Sequence, residues 1–192
     1  MSNYLNAGCG THYAKGWINT DTWETDDTTP DVRVEPGKPY PFEENFFDAV
    51  FLGHVLEHIP WKEVPAFLAD MKRVAKPGAK FLICGPDVFK TIHRWANGQE
   101  PWEMVMSVLE HLDVENHSVP GLEWWDGAHH HWNCHNDRVV KLLDSCGFSN
   151  ITDVFDVIPK NPLGKNWNDG KINWPVVGHW HWHFAVTCIN NK

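Results

Sequence analysis

Three groups of residues have the types and spacing that chemistry needs. Gly8-Cys9-Gly10 places two glycines one residue apart near the start of the chain, where a missing Cβ lets the backbone pass close to a ligand. Asp21 follows, and a carboxylate at the end of a second strand can accept hydrogen bonds from both hydroxyls of a ribose. The dinucleotide fingerprint needs a third glycine where this chain has Tyr13, so a nicotinamide enzyme is disfavoured, and no P-loop is present. The third group is His54, Glu57 and His58, spaced i, i+3, i+4 on one side of a helical turn, with His129, His130, His131 and His135 far along the chain. Imidazole titrates near neutral pH, so one of these histidines is a base candidate. The same set would suit zinc, nickel or iron better than magnesium. Packing and hydrogen bonding at the turn are the favoured account of it, and the expectation is that the residues hold no stoichiometric metal.

These groups need elements to position them. Tyr4 to Ala7 reads as a first strand running into the glycine turn, and Trp17 to Asp21 as a second. The connection between them is too short for the usual helix and is expected to be mostly loop. Asp31 to Pro41 is proline-rich and has room only for a short edge strand around Val32 to Val34. Phe47 to Leu52 is an apolar run of the buried parallel type, and Lys80 to Cys84 is another. Between them, Val64, Phe67, Leu68, Met71 and Val74 predict a helix over Lys62 to Lys76, stopped by Pro77-Gly78. Asn136 is the expected N-cap of a later helix carrying Val139, Leu142 and Leu143, with Gly147 just past its end. Strands are expected at Thr152 to Ile158 and His183 to Ile189, and a helix at Pro101 to Asp113 inside a Trp/His-rich insertion at about 88–134. Strands alternating with helices predict a doubly wound, mostly parallel α/β sheet with helices on both faces, in a single domain spanning 1–192. Ligands of such sheets bind beyond the carboxyl ends of the strands, where the three groups fall.

Composition narrows the partners. Sixteen Lys and Arg against twenty-five Asp and Glu give a net charge of −9 without a basic run, which argues against duplex nucleic acid. No stretch is long and apolar enough for a membrane span, and the first residues lack the basic and apolar regions of a secretory signal. Five widely spaced cysteines without a CxxC pair read as reduced thiols, so a cytoplasmic setting is expected. Twelve Trp and thirteen His crowd toward the C-terminal half, as core packing or as the walls of a pocket.

Order and spacing then carry a resemblance. Leu5-Asn6-Ala7-Gly8-Cys9-Gly10, Gly16-Trp17-Ile18-Asn19-Thr20-Asp21, Pro39 to Phe42 with Phe47-Asp48, His54-Val55-Leu56-Glu57-His58-Ile59, Arg73 to Gly78, Pro86-Asp87 and Cys146-Gly147-Phe148 together resemble the compact class I S-adenosylmethionine-dependent methyltransferases, type 11-like, with a GCG turn and a GWxNxD second strand. The resemblance implies a seven-stranded Rossmann-like sheet, here without helices ahead of strand one. It implies that Gly8, Cys9 and Gly10 pass under the methionine part of S-adenosylmethionine, and that Asn6 helps to hold its ammonium group. Asp21 would grip the ribose, Thr22 would lie against the adenine, and Glu35 would meet the adenine amino group. Pro36 departs from the pattern, because it lacks the backbone N–H that often binds adenine there. Gly53 and His54 would border the methionine and the reacting methyl.

The resulting expectation is methyl transfer from S-adenosylmethionine to a small or medium acceptor, with His54 and His131 as proton-accepting catalytic candidates. The insertion and the Asn161 to His183 segment would line the acceptor pocket. Two rivals stand beside it: a non-catalytic cofactor-binding or partner protein of the same fold, and a metal-dependent hydrolase built on the histidines. Neither the acceptor nor an oligomeric state follows from the residues.

Overall fold

The structure is a computed structural model describing residues 2–26, 28–109, 130–158, 166–175, 181 and 183–192. In chain order, β1 is Tyr4–Ala7, β2 Ile18–Asp21, β3 Val32–Arg33, β4 Phe47–Gly53 and β5 Ala75–Pro86, with α1 (Val64–Val74) between the last two. Two helices follow, α2 (Val88–Ala96) and α3 (Trp102–Leu109), and then α4 (Asn136–Ser145), β6 (Phe148–Asp153), the short strands β7 (Trp167–Asn168) and β8 (Asn173–Trp174), and β9 (His183–Asn190). Seven strands form one sheet in the order β3-β2-β1-β4-β5-β9-β6, while β7 and β8 pair in a separate hairpin. The first five sheet strands pair in parallel, and β9 enters antiparallel to both β5 and β6.

Central strands buried on both faces need continuous apolar runs, and β4 supplies one. Val50 and Leu52 join Leu5, Phe81, Ile83, Phe184 and Val186 in the larger core, against Leu68 and Met71 of α1 and Val139 and Leu143 of α4. Ala49 and Phe51 face the other way, with Leu82 and Ala185, toward Trp17, Val154, Ile158 and Trp174. Among the described residues no helix contributes to this second cluster. Helices on both faces were expected. Instead the β1–β2 loop, the turn after β6 and the β7–β8 hairpin cover the second face, and the wide rings of Trp17 and Trp174 fill it, their centroids 5.6 Å apart.

Several boundaries differ from those read in the sequence, each for a physical reason. Helix α1 ends at Val74, and Pro77-Gly78 lies inside β5 rather than after the helix. Helix α4 is capped by His135, whose Nδ1 accepts from Arg138 N, and not by Asn136. Strand β6 stops at Asp153 after an irregularity between Ser149 and Thr152, so Val154 to Ile158 packs as a turn rather than extending a strand. Helix α3 occupies part of the expected Pro101 to Asp113 helix, and residues 110–129 lie outside the described residues.

Two carboxylates fasten the parts around the sheet. Asp87 accepts from Phe89 N and Lys90 N at 3.1 Å each, capping α2, and from Asn136 N at 3.1 Å, which joins the starts of α2 and α4. Asp169 binds the β7–β8 hairpin to the sheet through Lys80 Nζ and accepts from Trp174 Nε1 at 3.1 Å. Burial pushes the Asp169 carboxyl up, but Lys80, Trp174 and the Ile172 and Lys171 N–H groups outweigh it and hold it well below the usual carboxylate range. A group depressed on folding contributes its stability above the unfolded-state value and loses it as pH falls toward the folded one. Asp169→Asn is therefore expected to destabilise the fold at pH 7 by about 1–2 kcal/mol, a figure moderated because Lys80 is partly exposed. Thermal unfolding of both proteins at neutral pH and at about pH 3 checks this, since the gap should narrow in acid. Equal gaps at both pH values would remove the ion pair from the hairpin's stability.

Candidate functional site

The ends of β1 and β2 are organised by two residues in left-handed backbone conformations. Past Ala7 the chain turns at Gly8 (φ 66°) and Gly10 (φ 49°), and Cys9 N donates to Thr20 O at 2.9 Å. The connection to β2 is loop, as its length requires, and two asparagines give it shape. Asn6 Nδ2 donates to His12 O (3.0 Å) and to Asn19 Oδ1 (2.9 Å), while Asn19 Oδ1 also accepts from Ala14 N (2.7 Å). Asp31 closes the loop from outside, accepting from Asn19 N at 2.8 Å and from Tyr13 Oη at 2.7 Å.

Asp21 joins the two strand ends. It is 7% exposed; its Oδ2 accepts from Gly10 N and its Oδ1 from Thr22 N, both at 2.7 Å. Thr22 is exposed beside it, and Val34 N donates to Asp21 O at 2.9 Å, which brings the exposed Glu35 to the same rim. Burial first, and the Asp21 charge second, push the Cys9 thiol up to about 11, so the cysteine offers backbone rather than a nucleophile. The two glycines differ in what they leave open. A Cβ on Gly8 would meet Val55 Cγ2 at 2.6 Å, whereas one on Gly10 would meet nothing within 4 Å. An open cradle over Gly10 with a nearly buried carboxylate at its edge fits a ligand carrying a ribose.

The adjacent corner is built by β4 and the turn after it. His54 has φ 57°, unusual for a side chain with a Cβ, and its N donates to Cys84 O at 2.9 Å. A single 3-10 turn follows at Leu56–His58. Glu57 is fully buried over Gly85, where a Cβ would lie 3.2 Å from Oε2. His54 Nδ1 sits 3.1 Å from Glu57 Oε1, and the His54 and His183 rings lie edge to face with centroids 4.5 Å apart. His58 meets His130 in the same manner at 4.9 Å. The segment carrying His130 is bonded to the turn by His131 N to Glu57 O (2.6 Å) and Trp132 Nε1 to Leu56 O (2.8 Å). Burial pushes the Glu57 carboxyl up, but the hydrogen bond and charge of His54, then His58 and His130, outweigh it and hold it at about 2.

The structure thus gathers Gly8, Cys9, Gly10, Asp21 and Thr22 at one end of the sheet, and Gly53, His54 and Glu57 at the neighbouring strand end. His131 joins them through its backbone, while His130 supplies the imidazole beside Glu57 and His58. Three consecutive histidines carry no signal for which of them turns inward. The sequence places His183 at the start of a strand and in a general pocket segment, with nothing to pair it with His54, and gives no signal for His12. Desolvation first and the His54 charge second hold the His12 ring below its usual range, although its surface is largely open.

A seven-stranded sheet in this order, with one antiparallel strand between β5 and β6 and a glycine turn after β1, is the class I methyltransferase fold. Residues 9–83 match the family model described as a methyltransferase domain. The matched stretch runs from the glycine turn into β5 and includes Asp21, His54 and Glu57. A comparison with curated proteins finds no match. Solved structures of similar fold include a SAM-dependent methyltransferase from Archaeoglobus fulgidus, 14% identical over 98% of this chain and 86% of that one, TM-score 0.57. Another is the 1,6-didemethyltoxoflavin-N1-methyltransferase of Burkholderia thailandensis, bound to 1,6-didemethyltoxoflavin and S-adenosylhomocysteine, 13% identical over 100% and 72% of the two chains, TM-score 0.55. The complex of the Haloferax volcanii Trm112 methyltransferase activator with a methyltransferase is also similar, 12% identical over 100% and 83%, TM-score 0.53. Among the described residues no helix is long and apolar enough to cross a membrane.

Proposed function

We propose that the chain binds S-adenosylmethionine across the ends of β1, β2 and β4 and directs its methyl group to a small acceptor in the cytoplasm. The observation that carries this reading is the Asp21 carboxylate, nearly buried and bonded to Gly10 N at 2.7 Å beside the open cradle. When bound, the donor supplies a positively charged sulfonium whose methyl is already activated, so the protein mostly has to align the reactants. Asp21 accepts from the ribose hydroxyls, Thr22 and Glu35 border the adenine, and Gly8 to Gly10 form the floor. Asn6 directs both its amide hydrogens into the loop, which leaves Oδ1 as its acceptor for the ammonium group.

On the acceptor side, Glu57 faces the Nδ1 edge of His54 and leaves the Nε2 edge to take a proton from a hydroxyl or amine. His131, tied to Glu57 through the backbone, is the second candidate for that role. An open groove of about 500 Å³ lined by Phe89, Lys90, His93, Arg94, Gln99 and His181 has room for a small molecule, although its lining includes none of the strand-end residues. A small acceptor also agrees with the bound substrate of the Burkholderia thailandensis enzyme.

Incubation with methyl-labelled S-adenosylmethionine and a pool of small hydroxyl and amine compounds is expected to give labelled product and an equal amount of S-adenosylhomocysteine. His54→Ala should slow transfer at saturating donor while leaving the affinity for S-adenosylhomocysteine unchanged. A His54→Ala protein that transfers at the wild-type rate would remove His54 from proton transfer. Tight donor binding with no consumption above that of heat-denatured protein would favour the non-catalytic binding protein.

A further inference from the structure

Glu57 poses a problem that the methyl-transfer reading leaves unsolved. Its side chain is fully buried, with imidazoles as the charged groups around it. His54 Nδ1 stands 3.1 Å from Oε1, at ion-pair distance. A carboxylate removed from water needs compensating positive charge close by, because an uncompensated buried charge is strongly destabilising. Two imidazoles stand next to it. One ligand atom each from Glu57, His58 and His130 lie within 4.8 Å of one another, His130 being only 7% exposed.

The arrangement is held from two separate stretches of chain. Glu57 and His58 belong to the 3-10 turn, and His130 is delivered by a segment bonded to that turn through His131 N and Trp132 Nε1. Such fixed approach of a second segment lowers the ordering needed when a ligand arrives. We propose that Glu57, His58 and His130 form a binding site for one divalent transition-metal ion of the zinc or ferrous type.

Two imidazole nitrogens and one carboxylate oxygen are the donors such ions prefer, whereas magnesium and calcium favour all-oxygen shells. Ligand atoms on a tetrahedral zinc stand about 3.4 Å apart, so small side-chain rotations close the observed spacing. Three protein ligands leave further positions for water or another oxygen donor. A bound ion would add positive charge beside Glu57, with one nitrogen of each imidazole as its ligand. This reverses the expectation drawn from residue types alone, which could not show that His130 reaches Glu57. It is also independent of the cofactor-site reading, since titration with S-adenosylhomocysteine is a separate measurement.

The test is calorimetric titration of the chelator-treated full chain with Zn²⁺ alone, in excess Mg²⁺, paired with elemental analysis of the protein as purified. The expected result is one Zn²⁺ per chain, bound at least roughly tenfold more weakly in His58→Ala and in His130→Ala. His93→Ala, an exposed histidine of α2 outside the cluster, should bind as wild type does. Should either variant fail to fold, the ligand-field spectrum of Co²⁺ added to the wild-type chain reports nitrogen and oxygen ligation without any substitution. Absence of saturable Zn²⁺ binding, a Co²⁺ spectrum identical to that of the hydrated ion, or binding undiminished in folded His58→Ala and His130→Ala would overturn the proposal.

Discussion

Gly8→Val is expected to destabilise the fold by about 3 kcal/mol or more and to abolish cofactor binding in whatever remains folded. Two effects add. The position has φ 66°, which a β-branched residue adopts only under strain, and its Cβ would lie 2.6 Å from Val55 Cγ2. Val55 begins the turn that carries Glu57 and follows His54, so relief of this clash must move the corner on which the proposed base and the buried carboxylate both sit. The two effects separate in a double substitution. Gly8→Ala with Val55→Ala removes the steric part and should recover about 1–2 kcal/mol relative to Gly8→Ala alone, leaving the conformational part. Denaturant titration of wild type, Gly8→Ala, Val55→Ala and the double variant reads both. An additive outcome would show that Val55 already has room to yield.

Asp21→Ala is expected to weaken S-adenosylhomocysteine by about 2–4 kcal/mol, roughly thirty- to a thousand-fold. Loss of a charged acceptor for two ribose hydroxyls accounts for part of this. The remainder follows from the bond to Gly10 N, because without it the end of β2 no longer holds the glycine turn in place. Asp21→Asn distinguishes the parts: its amide oxygen can still accept from Gly10 N, so it should bind more tightly than the alanine variant and less tightly than wild type. Calorimetry on all three settles the order. Equal affinities for wild type and Asp21→Ala would take the carboxylate out of the site.

Much of the frame that positions these residues is legible in the sequence, because parallel strands declare themselves as apolar runs. Phe47 to Leu52 lies within β4, and Gly8, Gly10 and Asp21 fall at the strand ends where the alternation of elements places them. The parts that escape depend on long-range packing. The second face of the sheet lacks helices among the described residues because Trp17 and Trp174, far apart in sequence, fill it together. Helix α2 is hidden in what reads as an insertion, since its cap, Asp87, looks like the end of a strand motif. The apolar residues Val154 to Ile158 suggest a strand, yet the irregular pairing of β6 turns them into a packed corner. At the site itself, the pairing of Glu57 with His130 rests on two hydrogen bonds between segments more than seventy residues apart, one of them from Trp132 to Leu56. Helical spacing shows that Glu57 and His58 share a turn. It cannot show what that turn faces.

Backbone amide NMR during titration with S-adenosylhomocysteine tests the central claim most directly. The account predicts saturable binding of one molecule per chain, with the largest perturbations at Gly8 to Gly10, at Asp21 and Thr22, and at Gly53 and His54. No saturable binding, or perturbations confined to residues away from the ends of β1, β2 and β4, would contradict it.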